Sequence, residues 1–161
     1  MYVRTAAAAL IYVPRPPRGL GAGMELSDTL SRPFELLERL RTDRPEIAED
    51  LAGLKNAVRR ALVGAAVHML DTMDFHHIAE HIAEGHLDPT DVPRLRSCHA
   101  ILTATPWPDS LKSLASTLRD EVARLEQAII NKKPVDARAS SHGVHEVEHE
   151  LSHTARDWLS R

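Results

Sequence analysis

Between Pro108 and Pro134 the apolar residues fall on a seven-residue repeat, with Leu111, Leu118 and Leu125 on one line and Ala115, Val122 and Ile129 on another. An α-helix winds about 3.6 residues per turn, so this repeat draws a narrow apolar seam along one helical face. Such a seam is stable only against other helices that present similar seams. Proline lacks an amide hydrogen and clashes with the preceding turn, so the segment is bounded, with Lys132, Lys133 and Pro134 breaking it after Asn131. Apolar residues make up 43% of the chain but aromatics only 4%, so the core is built from aliphatic side chains. No window sustains the apolar–polar alternation of a strand, and the reading is all-α.

The remaining punctuation is also helical. Ser31 is placed to cap a first helix to about Arg41, with Pro33 in its opening turn. Asp43 and Glu46 have capping-box spacing, with Pro45 between them, and from there a long helix is expected to run to about Glu84. Gly85 and Pro89 end it; Thr90 and Pro93 open a short helix that stops before Pro106. The last helix follows Pro134 and reaches nearly to the C-terminus. On the long helix, Gly53, Ala57, Ala61 and Ala65 form a ridge of small residues that lets a neighbouring helix approach closely. The expected architecture is an antiparallel four-helix bundle with one additional short helix, a single domain over residues 24–161.

Residues 1–23 differ in character, with three arginines and no acid against 17 basic and 23 acidic residues in the remainder. They are expected to form a disordered N-terminal tail, or a translated leader ahead of a native start at Met24. Arg4 followed by Ala6 to Val13 has the outline of an export signal, but it runs into Pro14, Arg15, Pro16 and Pro17 without a small-residue cleavage site. No stretch reaches the roughly 20 apolar residues of a membrane span. The expectation is therefore a cytoplasmic protein with no membrane partner. The net charge of -3 has the wrong sign for a nucleic-acid partner. There is also no glycine-rich phosphate loop. The single cysteine, Cys98, excludes an internal disulfide and a cysteine-based zinc framework, and beside Leu95 and Leu102 it reads as a core residue.

Ten histidines are the anomaly, and eight of them fall within residues 74–86 and 142–153. In the first window, Leu62, Val63, Ala66, Met69, Leu70 and Met73 make an apolar stripe that His77, Glu80, His81 and Glu84 continue in phase, with Asp74 about 60° away. Two histidines four apart beside a carboxylate suit Zn, Fe, Mn, Ni or Cu. In the second window, His142, His145, Glu146, His149 and His153 share a strip about 100° wide, opposite an apolar stripe of Val144, Val147, Leu151, Ala155 and Trp158. That opposition favours a surface or inter-subunit site over one inside the core.

Short stretches here resemble known metal motifs. His145-Glu146-Val147-Glu148-His149 is similar to the His-Glu-x-x-His signature of zinc metallopeptidases, in which the histidines bind zinc and the glutamate activates water. Ser152 and Ala155 stand where the metzincin continuation has glycine and histidine, and no substrate-binding sheet is in prospect. Gly143, His145 and Glu148 resemble the Gly-x-His-x-x-Glu motif of the imelysin-like helical family. Glu146 with His149, and Asp74 with His77, resemble the paired motifs of ferritin-like carboxylate proteins. In that comparison Glu35 or Glu38, and Glu121 or Glu126, supply the single carboxylates.

The leading expectation is a helical bundle that binds a divalent transition metal (Zn, Fe, Ni, Cu or Mn). Asp74, His77 and His81 form one half-site; His145, His149 and His153, with Glu146, form the other. Two alternatives stand beside it: a structural or interaction module that forms homo-oligomers, and a ferritin-like di-metal protein. No nucleophile–base–acid set emerges from the spacing, so binding rather than catalysis is expected.

Overall fold

The computed structural model describes residues 26–161; the expected tail over residues 1–23 lies outside them. Six α-helices are present: α1 (Leu26–Asp43), α2 (Ala48–Asp71), α3 (Phe75–Ala83), α4 (Val92–Ala104), α5 (Asp109–Ile130) and α6 (Pro134–Ser160). Single 3₁₀ turns at Pro45–Ile47 and Pro89–Asp91 lead into α2 and α4. No strand occurs among the described residues, so the all-α reading holds.

The seam of α5 is the centre of the core. Leu111, Leu118, Leu125, Ala115, Val122 and Ile129 are all buried, against α4 on one side and α6 on the other. The connection from α5 to α6 is a tight C-terminal cap, which makes the two an antiparallel hairpin. Lys132 takes a left-handed φ of 54°. The Lys132 and Lys133 amides then donate back to the Ile129 and Ala128 carbonyls at 3.1 and 2.9 Å. The hairpin packs closely near its middle, where a Cβ on Gly143 would meet Glu121 Cδ at 3.0 Å. Along α6 the expected apolar stripe faces inward: Val144, Leu151 and Ala155 are buried, and Val147 and Trp158 pack partly against the core.

α2 is tied to the other end of α6. The Arg60 guanidinium donates to the terminal carbonyls of Trp158 and Leu159 and lies 5.3 Å from the Trp158 ring centroid. At the last residue of α2, Asp71 pairs with Arg156 at 2.9 Å. Together α2, α4, α5 and α6 form a bundle, with α1 laid across α2 and α4.

Four local expectations are corrected. Ser31 does not cap α1; it lies within that helix and donates to the Asp28 carbonyl at 3.1 Å. The capping box at Asp43 and Glu46 does not form, because α1 continues through Asp43 and Arg44 begins the 3₁₀ turn without a side-chain cap. The ridge of Gly53, Ala57, Ala61 and Ala65 receives no neighbouring helix among the described residues; all four residues are exposed. Most consequentially, the long helix expected to reach Glu84 breaks at Thr72–Asp74.

The break has a packing cause. An unbroken helix would carry Phe75 about 140° away from the direction of Leu70, outside the buried face. Instead Asp74 adopts a left-handed conformation (φ 54°, ψ 53°) and restarts the winding. Its carboxylate accepts the His77 amide at 3.4 Å, the arrangement of an N-cap. Met73 and Ile78, on either side of that cap, both pack on the core in the manner of a hydrophobic staple. In the new phase Phe75, Ile78 and Ile82 are all buried, and α3 docks on α6. Gly85, at φ 88°, ends α3.

Candidate metal centre

Restarting α3 brings the two histidine windows together. With Ile78 and Ile82 turned toward α6, the neighbouring His76 projects over the rim of α6, where His145 and His149 stand one turn apart. His145 Nε2 lies 3.1 Å from His76 Nδ1. Ring centroids are 4.5 Å apart for His76 and His145, 5.4 Å for His76 and His149, and 4.7 Å for His145 and His149. Each ring offers one nitrogen, and these lie within 4.8 Å of one another. Among the described residues this is the one group of three or more ligand-type side chains so gathered, and it can hold a metal ion.

Coordination geometry gives a test of fit. Two nitrogens each about 2.0–2.1 Å from a tetrahedral ion stand roughly 3.3–3.4 Å apart. The His76–His145 pair, at the hydrogen-bond distance of 3.1 Å, is within about 0.3 Å of that spacing. Closing the widest permitted gap, 4.8 Å, takes about 1.4 Å of movement, within reach of a side-chain rotation at exposed His76 and His149.

The surroundings are polar and organised. A half-open cleft of about 140 Å³ adjoins His76 and His149 and is lined by Leu70, Asp71, Phe75, Glu148, Ser152 and Arg156. Glu148 is buried, with its residue only 9% exposed. The Ser152 hydroxyl lies 2.8 Å from Glu148 Oε1 and 3.3 Å from Asp71 Oδ1, so a single hydroxyl proton links two carboxylates. Burial holds the His145 imidazole below its ordinary pKa; neighbouring His76 and His149 add to this, and Glu148 opposes it. Cys98 is the buried core residue expected from the sequence; burial, and then the Glu148 charge, push its thiol up to about 12. A larger groove of about 670 Å³ along α5 and α6, lined by Glu121, Arg124, Gln127 and Asn131 among others, contains no histidine.

Of the residues singled out in the sequence, His145 and His149 lie in this cluster and the other five do not. Asp74 is spent as the cap of α3. His77 and His81 stack on each other with centroids 4.0 Å apart. Their charges act on the Asp88–Asp91 turn, where burial and then Asp88 hold the Asp91 carboxyl above its ordinary range. Glu146 is exposed and faces His142 at 3.4 Å. His153 is exposed one turn beyond His149. The carboxylates of the ferritin-like comparison lie in separate ion pairs: Glu38 with Arg41 and Lys55, Glu121 with Arg124, and Glu126 with Arg96.

His76 was passed over because the phase of an unbroken helix pointed His77 inward. The signal for it is Met73-Asp74 followed by Ile78, a staple around a capping residue. Glu148, Asp71, Ser152 and Arg156 carried no sequence signal beyond the Gly-x-His-x-x-Glu likeness at Glu148. Comparison with protein-family models, with curated proteins and with solved structures finds no match for this chain. No described helix is long and apolar enough to cross a membrane.

Proposed function

We propose that this protein binds one divalent transition metal through His76, His145 and His149, a site that staples α3 to α6. The reading rests on one observation: three imidazole nitrogens from two separate helices lie within 4.8 Å of one another, close enough for one ion to bridge after small side-chain rotations. An all-imidazole set suits Zn, Cu, Ni or Fe better than the harder Mg or Ca. Nothing in the site selects among those metals. Calorimetric titration of metal-free protein with Zn²⁺ should give one site per chain. His76→Ala should weaken it by more than the roughly 10–100-fold that loss of an outer partner costs. His77→Ala and His81→Ala, on the far side of α3, should leave it unchanged. Equal weakening by all three substitutions, or no saturable binding, would remove the proposal.

A second reading is favoured by a different surface. Among the described residues Leu36 and Leu40 of α1 and Leu54 and Met69 of α2 are exposed, as are the small residues Gly53, Ala57, Ala61 and Ala65 of α2. Such a face suits a homo-oligomeric interaction module. Light scattering after chromatography tests this directly: a monomer at all accessible concentrations counts against it.

A further inference from the structure

Three histidines leave a tetrahedral ion one open position, and in metal sites that open position is where water is activated. Here the cleft of about 140 Å³ that reaches His76 and His149 also contains Glu148, Ser152, Asp71 and Arg156. Glu148 is the unusual member. The residue is only 9% exposed, and among the described residues its carboxylate receives one hydrogen bond, from Ser152 to Oε1 at 2.8 Å, while Oε2 receives none and stays open to solvent. Arg156, the guanidinium in the same cleft, is taken by Asp71 at 2.9 Å. A buried carboxylate is stabilised by donors or by positive charge, and one serine hydroxyl leaves most of its acceptor capacity unused. That spare capacity lines the same small cleft as two of the three imidazoles.

From this placement we infer that the site is hydrolytic, with Glu148 as the proton acceptor for a metal-bound water that attacks small carboxylic esters. The inference rests on the metal-binding reading above. An ion held by the three imidazoles would lower the pKa of a water bound to it, and Glu148 would take the O–H proton that this water gives up. The resulting hydroxide forms a bond to the ester carbonyl carbon. The tetrahedral adduct then expels the alcohol oxygen as its C–O bond breaks, and the proton held by Glu148 goes to that leaving oxygen. One water is consumed and a carboxylic acid and an alcohol are released, the acid then giving its proton to solvent; no electron is transferred, so a redox-inactive ion such as Zn²⁺ suffices. The Ser152 hydroxyl fixes the carboxylate, making Ser152 a positioning residue. Cleft volume limits the substrate: at about 140 Å³ the enclosed part suits a small acyl group such as acetyl and not a long chain. A longer alcohol portion projects out through the open side.

The experiment is hydrolysis of p-nitrophenyl acetate by the full-length chain loaded with Zn²⁺, with zinc stoichiometry and affinity measured on every variant. The loaded protein should exceed both zinc-free protein and the zinc-treated double variant His76→Ala/His149→Ala. Glu148→Gln keeps the shape and the Ser152 contact but cannot take the proton. It should lose about 10²-fold or more in kcat, in line with removal of a general base, while binding zinc as the parent does. Glu148→Asp should recover part of the rate. Ser152→Ala, which leaves Glu148 itself in place, should lower kcat with little change in zinc affinity. If Glu148→Gln binds zinc normally and hydrolyses at the parental rate, or if the loaded protein is no faster than the double variant, the hydrolytic role falls and metal binding stands. Absence of zinc binding to the parent overturns both. p-Nitrophenyl decanoate, whose acyl chain exceeds the cleft, should be the poorer substrate; equal rates would overturn the size argument and with it the assigned cleft.

Discussion

Protons and metal ions compete for the same imidazole nitrogens, so the pH response of His145 carries information about the site. Burial and the neighbouring His76, His149 and His142 disfavour its charged form, with Glu148 acting in the opposite sense. Asp71 of α2 and Arg156, paired with each other, flank the same cleft. Because the folded pKa lies below the unfolded value of about 6.5, the unfolded chain binds more protons in that window. Stability therefore rises with pH across it: no penalty exists well above the unfolded value, and a penalty grows as pH falls through it. The expected outcome is a urea midpoint of chelator-treated protein that declines from pH 7 to pH 5, with a smaller decline for His145→Gln. Parallel declines in the two proteins would show that His145 is not the group responsible.

At the scale of elements, what was legible in the sequence follows from where strong signals lay. The bounds of α5 and α6 could be read to within a residue or two because Pro108 and Pro134 are covalent stops and the heptad seam leaves one way to pack. The inward stripe of α6 was legible for the same reason, and it correctly put His145 and His149 at the rim. The break between α2 and α3 was not legible from periodicity, because a three-residue interruption barely disturbs an apolar count while it rotates everything after it. That rotation sets His76, and not His77, beside His145 and His149, so the misjudged helix continuity also changed which histidine the cluster contains. Asp74 separates the two interpretations experimentally. As a cap in a left-handed conformation, Asp74→Ala should cost about 1–2 kcal/mol of stability, since alanine loses the cap and the local hydrogen bonding that lets aspartate occupy φ 54°. Asp74→Gly should cost only a few tenths, because glycine adopts that conformation freely. Were Asp74 a metal ligand, as the sequence suggested, both substitutions would abolish metal binding equally; with the cap role, Asp74→Gly retains it. Denaturant titration and zinc calorimetry on the pair give the answer.

For the whole molecule, the site lies at the junction between a well-anchored body and a small attached helix. The α4–α5–α6 core is fixed by side chains such as Leu95, Leu118, Leu125 and Leu151, each at most 1% exposed, and truncating one of them to alanine should cost about 2–5 kcal/mol. α3 is nine residues long, docks mainly on α6 through Phe75, Ile78 and Ile82, and is joined to α2 through a single left-handed residue. Short elements with few partners open locally at lower free energy than the core does. A ligand that needs His76 from α3 and His145 and His149 from α6 binds only the docked arrangement, so it opposes that local opening by mass action. At free zinc of 100 times Kd the effect is about 2.7 kcal/mol, an approximately 100-fold slowing of exchange for amides of α3 that open by detachment. Helix α1 packs on α2 and α4, away from the three histidines, and its fraying leaves the site intact. Hydrogen exchange should accordingly show strong zinc-dependent protection in Phe75–Ala83 and none at the start of α1, and His76→Ala should erase the difference. Protection spread evenly over α1 and α3, or retained in His76→Ala, would mean that zinc acts somewhere other than the α3–α6 junction.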